Sequence, residues 1–323
     1  MSLRSPSVTV IIPTYNRAHL LGRSIKSVLG QTYRDIELIV VDDCSTDNTE
    51  EVIRSFSDER LLSFRLNENS GSPAAPTNKG IEAARGEYIA IQDSDDEWLP
   101  RKLEKQMDVF KKVSLEVAVV YTDVWRIREN GEKEYNPSPH IMPEDGIIYR
   151  KALGYRLEGI GTQTLLIRKE CFSKTGLFDE KLHMYIDTEL LIRMSKYYYF
   201  YHLQEPLVNY FETPGSMVLN SNFESWILAR KLILEKHFED IRKSRRLLAT
   251  HYFSIGHHLY SRGEFRQARD YLMKSSLTYP LNIKILILAC MSLISRHGYH
   301  TSSTLLGVPH TFAVFPLFKW NMD

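Results

Sequence analysis

The run Tyr88-Ile89-Ala90-Ile91-Gln92-Asp93-Ser94-Asp95-Asp96 ends a short apolar stretch in three carboxylates. A continuous apolar run reads as a buried strand, whereas unpaired carboxylates are costly to bury, so the acids belong at the strand's C-terminal rim. In open α/β sheets that rim is where ligands bind. Only a small serine separates Asp93 from Asp95. This spacing suits a divalent cation holding a diphosphate, because hard cations take oxygen ligands and share them with phosphates. Two further strand ends carry chemistry of their own. Asp42-Asp43 closes the run Ile36 to Val41, and Pro13-Thr14-Tyr15-Asn16-Arg17 follows the run Val8 to Ile12. In a doubly wound sheet such ends converge on one crevice, where a carboxylate accepts hydrogen bonds from a base or ribose and the Tyr15 ring lies near a base. Taken singly, each acid could equally be a turn former or a helix cap. Taken together, the set favours a site.

The elements needed to position these residues are legible in the first third. Leu21, Ile25, Val28 and Leu29 recur at helical spacing within Ala18 to Leu29. Thr49 to Phe56 reads as a helix, Leu61 to Leu66 as a strand and Asn69 to Pro76 as a loop rich in Gly, Ser and Pro. Asn78 to Ala84 reads as a helix stopped by Gly86, and the acidic strand follows. Repeated β-α units predict a mostly parallel sheet with right-handed crossovers. Further on, Val117 to Ile127, Thr162 to Ile167 and Tyr197 to Leu203 read as strands. Glu132 to Gly146 reads as a loop, Leu190 to Met194 as part of a helix and Pro214-Gly215 as a boundary. From about Asn222 the pattern is helical. Ile255-Gly256, Gly263, Phe265, Ala268 and Pro280 fall near the spacing of one tetratricopeptide-like helix pair.

Three groups of segments, in this order, resemble glycosyltransferase family 2. The first is Val10-Ile11-Ile12-Pro13-Thr14-Tyr15-Asn16-Arg17 with Ser27-Val28-Leu29 and Gln31-Thr32-Tyr33. The second is Glu37-Leu38-Ile39-Val40-Val41-Asp42-Asp43-Cys44-Ser45-Thr46-Asp47. The third is Asn78-Lys79-Gly80-Ile81, Gly86-Glu87-Tyr88-Ile89 and Asp93-Ser94-Asp95-Asp96. The likeness spans residues 7–110 and continues more weakly through Gly176-Leu177-Phe178-Asp179-Glu180 to Asp187.

The resemblance implies a GT-A fold: a mostly parallel twisted sheet flanked by helices, here with a C-terminal α-helical appendage. Residues 1–105 would form the nucleotide-sugar-binding half, 106–220 the acceptor-binding and catalytic half of the same domain, and 221–323 the helical region. It also implies transfer of a sugar, with inversion, from a nucleoside-diphosphate donor, UDP-linked in the simplest reading, to a hydroxyl of a glycan, glycolipid or glycoprotein. On that reading Pro13, Tyr15 and Arg17 lie at the nucleotide and Asp43 binds the base. Asp93 and Asp95 match the DXD motif that holds Mn²⁺ or Mg²⁺, with Asp95 the direct ligand. Asp187 is the catalytic base, with Glu189 and Glu180 as substitutes. Asp96 would cap the helix starting near Pro100.

Three positions depart from the family pattern: Ile186 where an acid is usual, Thr77 where Arg is common and Cys44 where Gly is common. Ile186 and Thr77 keep a second reading open, a catalytically degenerate transferase domain acting as a binding or scaffold protein. A phosphatase of the haloacid dehalogenase type would place its acid pair after the first strand and trail it with Thr, where this chain has Glu97. A nucleotidylyltransferase would need a Gly-rich signature that the first strand lacks.

The chain-wide properties agree with an enzyme acting on small charged donors. Forty-one basic and 40 acidic residues leave a net charge of +1, which argues against nucleic acid as a partner. Cys44, Cys171 and Cys290 are too dispersed for a metal cluster and fit a reducing, cytoplasmic compartment. The run Ile283 to Ile294 is too short to span a bilayer and contains Lys284. Peripheral contact with the inner membrane face remains compatible, and Arg242-Lys243-Ser244-Arg245-Arg246 is its one basic cluster, although a solvated helix face explains that cluster as well. His183 and Trp98 are acceptor-site candidates, with packing the commoner role for Trp98. The Tyr197-Tyr198-Tyr199 rings could stack on a sugar.

Overall fold

Val8–Thr14 (β1) and Ile36–Asp42 (β2) are buried along their whole lengths. Strands covered on both faces carry continuous apolar runs in place of alternation, which is why both read so clearly in the sequence. The computed structural model describes residues 5–139, 148–154, 157, 159–213 and 223–280. The chain forms two compact units, Met1–Ala152 with Leu157–Asn220, and Leu153–Arg156 with Ser221–Asp323.

In the first unit β1 pairs in parallel with β2 and with Tyr88–Ile91 (β4), and β2 pairs in parallel with Leu61–Arg65 (β3). The helices Ala18–Leu29 (α1), Thr49–Arg54 (α2) and Ala74–Ala83 (α3) make the crossovers. Glu97–Trp98 (β5), Lys102–Phe110 (α4), Val117–Ile127 (β6), Lys133–Asn136 (β7), Ile148–Leu153 (α5), Leu166–Arg168 (β8), Cys171–Thr175 (α6), Ile186–Ser195 (α7) and Tyr199–Phe211 (β9) follow. One sheet runs in the order β3-β2-β1-β4-β8-β6-β9-β5, with β7 on β6. Strand β8 is antiparallel to both neighbours, while β6 and β9 are parallel to each other.

The two faces of β1 have different partners. Val8, Val10 and Ile12 join Leu21, Ile25 and Val28 of α1 in one apolar cluster. On the opposite face α3 comes so close that a Cβ on Gly80 would lie 2.5 Å from Ile11 Cγ2. Glycine is therefore required by contact there, where the helix's ordinary dihedrals would permit any residue.

Several expected boundaries move. Helix α3 begins at Ala74, inside the expected loop, because Ala-Ala-Pro at a first turn is compatible with helix. Thr162–Thr164 is a 3₁₀ turn and only Leu166–Arg168 is strand, so the expected strand 162–167 is two elements. The expected loop from Glu132 contains β7, an exposed hairpin partner of β6 whose polar residues carry no burial signal. Pro214-Gly215, Ile283 to Ile294 and Cys290 lie outside the described residues.

The second unit contains Phe223–Lys236 (α8), Phe238–Ile241 (α9), Arg245–Ser261 (α10) and Phe265–Thr278 (α11). Ser244 caps α10 by accepting the Leu247 N–H at 3.3 Å. Gly256, Phe265 and Ala268 lie on the α10–α11 pair, where a Cβ on Gly256 would come within 3.0 Å of Leu272. Arg242 and Lys243 pair within one turn with Glu239 and Asp240, as a solvated helix face does. Among the described residues no helix is long and apolar enough to cross a membrane.

Candidate active site

Strands β1, β2 and β4 end at one edge of the sheet. The register pairs Thr14 with Asp42 and Ile11 with Ile91, and the ladder continues as Asp43 N–H donates to Thr14 O (2.8 Å) and Gln92 N–H to Ile11 O (2.9 Å). Parallel pairing thus brings the loops at Tyr15, Asp43 and Asp93 side by side, as the three acidic and polar strand ends require. Pro13 lies within β1 opposite Val41, and Tyr15 is 43% exposed at its end.

The paired acids Asp42 and Asp43 separate by role. Asp42 binds Arg65 Nη1 at 2.5 Å and the Ser45 N–H at 2.9 Å, so it is the turn former. Asp43 accepts from Ser70 N–H (3.0 Å) and Ser70 Oγ (2.9 Å), and burial raises its carboxyl against the pull of those donors. Cys44 between Asp43 and Ser45 has φ +64°, a left-handed turn position that explains why glycine suits this place. Asn16 is also left-handed (φ +50°), with its Oδ1 accepting the Thr46 N–H at 2.7 Å. Arg17 occupies the N-cap position of α1, and the Ala18 N–H that follows donates to Asp47.

The acidic loop after β4 is held from α1 and from the 3₁₀ turn. Ser24 Oγ donates to the Asp93 carbonyl (3.0 Å), the Arg23 guanidinium donates to the Asp95 carbonyl, and Thr162 Oγ1 donates to Asp93 Oδ1 (3.3 Å). Asp93 and Asp95 are partly exposed, whereas Asp96 is 1% exposed. Asp96 Oδ1 accepts the Phe211 N–H at 2.9 Å, and Arg101 stands at the N-cap of α4. The expected helix cap is therefore corrected: Asp96 fastens the acidic loop to the end of β9. The cap reading fails because Glu97–Trp98 forms strand β5 between Asp96 and the helix.

Burial, then the charge of Asp95, then that of Asp187, push the Asp93 carboxyl up to about 7, with the Thr162 hydroxyl pulling the other way. Asp187 therefore belongs to the same electrostatic cluster despite its distance along the chain. It is half-buried in the first turn of α7, and burial raises its carboxyl too, although Oδ1 takes the Thr188 N–H at 2.6 Å. Tyr185, with φ +58°, is the N-cap, and Ile186 is simply the first helical residue. The alternative bases have other partners: Glu189 is fully buried against Arg193 Nη2 (2.8 Å), and Glu180 accepts from Asn78 (2.8 Å). Thr77 is buried and spends its hydroxyl on Pro73 O within α3 (2.6 Å).

The segment leading to Asp187 is clasped to residues 71–78. Asn78 donates to Phe178 O (2.9 Å) and accepts the Phe178 N–H (2.9 Å). Ser72 Oγ donates to Leu182 O (2.8 Å), and exposed His183 meets Gly71 O through Nδ1 (2.9 Å). Sequence reasoning marked Asn78 without its partner and missed Arg23, Ser24, Ser72 and Thr162, whose contacts are set by tertiary packing with no local spacing to reveal them. Trp98 is 2% exposed with Nε1 donating to Gln163 O (2.9 Å), so its ring is buried and does not face an acceptor. Tyr197 precedes β9 and Asp96 binds its far end, a separation on the order of 40 Å for 13 extended residues, so Tyr197 is not near the acid cluster.

The family model of glycosyl transferase family 2 matches residues 9–196, more than half the chain. An uncharacterized glycosyltransferase of Rickettsia typhi is 36% identical over 200 residues, which are 60% of this chain and 61% of that protein. The chain thus spans about three fifths of that relative's length. The putative teichuronic acid biosynthesis glycosyltransferase TuaG of Bacillus subtilis is 32% identical over 228 residues, 70% of this chain and 85% of that one. The crystal structure of S. aureus TarS 1-349 in complex with UDP-GlcNAc superposes with a TM-score of 0.67 at 20% identity, covering 93% of this chain and 92% of that one. An ordered set of strand-end motifs, a sheet of matching topology and a family match reaching through α7 have one common explanation: the chain is a GT-A-fold member of glycosyl transferase family 2.

Proposed function

We propose that this chain transfers a sugar from a UDP-linked donor to a hydroxyl of a glycan or lipid-linked acceptor, with inversion and with help from a divalent cation. The observation that carries the reading is the convergence of the loops at Tyr15, Asp43 and Asp93 on one edge of the parallel sheet. Asp187, whose charge helps to raise the Asp93 carboxyl, is the candidate proton acceptor for that site. An acceptor hydroxyl is a poor nucleophile, so Asp187 takes its proton as the oxygen attacks the anomeric carbon from the face opposite the leaving diphosphate. Help of this kind is worth about 10²–10⁴-fold in rate. Burial, by raising the Asp187 carboxyl, makes it a stronger base. Asp43 and Tyr15 take the nucleoside, with Pro13 and Arg17 flanking it.

The acid cluster fits a cation. Asp93 and Asp95 repel each other, and that repulsion raises Asp93. Among the described residues no group of three or more His, Cys, Asp or Glu ligands gathers, so two carboxylates would hold the ion and the diphosphate would complete its oxygen shell. When bound, Mn²⁺ or Mg²⁺ would stabilise the charge that develops on the departing diphosphate. TarS, crystallised with UDP-GlcNAc, supports a UDP-linked donor, and TuaG's name supports a glycan acceptor.

The test is a panel of nucleotide sugars scored by thermal stabilisation and by hydrolysis, with Mn²⁺, Mg²⁺ or EDTA. A UDP-sugar should stabilise the protein with metal and lose that effect with EDTA. Asp187→Asn should keep the stabilisation and lose turnover by the factor above. Metal-independent binding and turnover would remove the cation from the reading, and full turnover in Asp187→Asn would remove the base.

A further inference from the structure

Lys102 is completely buried, and among the described residues its amine lies beside no carboxylate: Nζ donates to Gln106 Oε1 (2.9 Å) and sits 3.9 Å from the centre of the Trp98 ring. Burying an amine is costly, and burial pushes its pKa well down, so the position calls for a structural or functional return. The contacts around it supply one. With Oε1 engaged by Lys102, the Gln106 amide can point only one way, and Nε2 donates to Val120 O (2.9 Å) and Thr164 O (2.9 Å). Trp98 Nε1 donates to Gln163 O (2.9 Å). Two successive carbonyls of the 3₁₀ turn are therefore fixed by this group, and the first residue of that turn, Thr162, donates its hydroxyl to Asp93.

Trp98 also reaches the other side of the same aspartate. Its backbone N–H donates to Ser27 Oγ (3.1 Å) on α1, Ser27 Oγ donates to Ser24 O (2.8 Å), and Ser24 Oγ donates to the Asp93 carbonyl (3.0 Å). Asp93 is thus gripped at its carbonyl through α1 and at its carboxylate through the turn, and both grips lead to Trp98. Gln31 reinforces the frame: it is fully buried, donates to Leu99 O (2.8 Å) and accepts the Leu103 N–H (3.0 Å).

We propose that Trp98, Lys102 and Gln106 are positioning residues for the donor site, acting through the Thr162 hydroxyl to set the direction of the Asp93 carboxylate. The proposal rests on the reading that Asp93 and Asp95 hold the cation of the donor diphosphate. Outer-shell groups that orient a ligating carboxylate commonly account for about 10–100-fold of metal affinity. A hydroxyl 3.3 Å from the carboxylate belongs at the low end of that range.

The test is binding of Mn²⁺ in the presence of UDP, followed by the electron spin resonance of free Mn²⁺, on the full chain. Thr162→Val should weaken Mn²⁺–UDP binding about 10-fold, and Thr162→Ser should restore it. Lys102→Met keeps the apolar stem, removes the amine and should weaken binding in the same direction. Because both act through one contact, Lys102→Met in the Thr162→Val background should add little. Full additivity of the two, or unchanged binding in Thr162→Val, overturns the proposal. If Lys102→Met fails to fold, Trp98→Phe, which removes the N–H to Gln163 together with part of the ring, takes its place in the cycle with the same expected outcome. Asp95→Asn separates the two levels of inference: if it leaves Mn²⁺–UDP binding intact, the cation site itself falls and the positioning role with it. If it abolishes binding while the Thr162 and Lys102 variants bind as the parent does, only the positioning role falls.

Discussion

Asn78 is the residue whose removal most directly tests how the two sides of the site are joined. It is 5% exposed and makes three hydrogen bonds to the segment that leads to Asp187: to Phe178 O, from Phe178 N–H and to Glu180 Oε1. Asn78→Ala strands the Phe178 N–H and C=O in a buried setting. Each stranded group costs about 1–3 kcal/mol, and the bond to exposed Glu180 adds little, so the expected loss is about 2–6 kcal/mol. Asn78→Asp tests the geometry further. It can still accept the Phe178 N–H, but it cannot donate to Phe178 O and it repels Glu180, so it should be about as damaging as alanine. Urea unfolding followed by tryptophan fluorescence reads the loss as a lower midpoint at unchanged slope. Turnover should fall with it, because the clasped segment carries the proposed base, while UDP binding should change little. A loss under about 0.5 kcal/mol in both variants, or a selective loss of UDP binding, would refute the clasp.

Three further outcomes follow from the same contacts. Gly80→Ala drives a methyl into Ile11, 2.5 Å away, and should destabilise by about 1–3 kcal/mol in the same unfolding assay. Asp43→Ala removes the carboxylate held by Ser70 and should raise the KM for the nucleotide sugar with kcat nearly unchanged, since Asp43 lies outside the Asp93–Asp95–Asp187 cluster. In the second unit burial holds His251 and His258 down to about 3 from the usual 6.5. The unfolded chain takes up protons near 6.5 that the folded unit refuses, so each histidine's stabilisation is complete above that pH. It is lost on acidification at about 1.4 kcal/mol per pH unit. His251→Gln, which keeps a donor for Leu153 O, should flatten that slope in thermal melts between pH 6.5 and 4.5, and an unchanged slope counts against the buried neutral histidine.

The edge proposed to take the donor was legible because its geometry is local. A parallel sheet places the C-terminal ends of β1, β2 and β4 at one edge by construction, so the acids at two of these strand ends and the polar residues at the third come together. Their division of labour was less legible. Asp42 and Asp43 are neighbours in sequence, but only the register and Arg65 show which one turns the chain. Asp96 looked like a helix cap because Pro100 follows closely, yet its partner is the backbone of Phe211, which no spacing encodes. The segment leading to Asp187 and the turn beside Asp93 depend almost wholly on such distant pairs: Asn78 with Phe178, Ser72 with Leu182, Thr162 with Asp93. A hydroxyl in a 3₁₀ turn has no periodicity, and an exposed hairpin strand such as β7 has no apolar alternation, so both escaped detection.

The two proposed chemical groups are linked to helices on opposite faces of a single strand. Asp93 is tied to α1 through Ser24, and α1 packs on the face of β1 formed by Val8, Val10 and Ile12. Asp187 follows the segment clasped by Asn78, and the helix carrying Asn78 packs on the other face, with Gly80 against Ile11. Strand β1 lies between β2 and β4, each pairing in register, which makes it among the least deformable elements of the unit. A change on one face should therefore move one acid and leave the other in place. Enlarging the Gly80 contact should act on turnover through the base, whereas trimming Leu21 or Ile25 should act on donor affinity through the cation site.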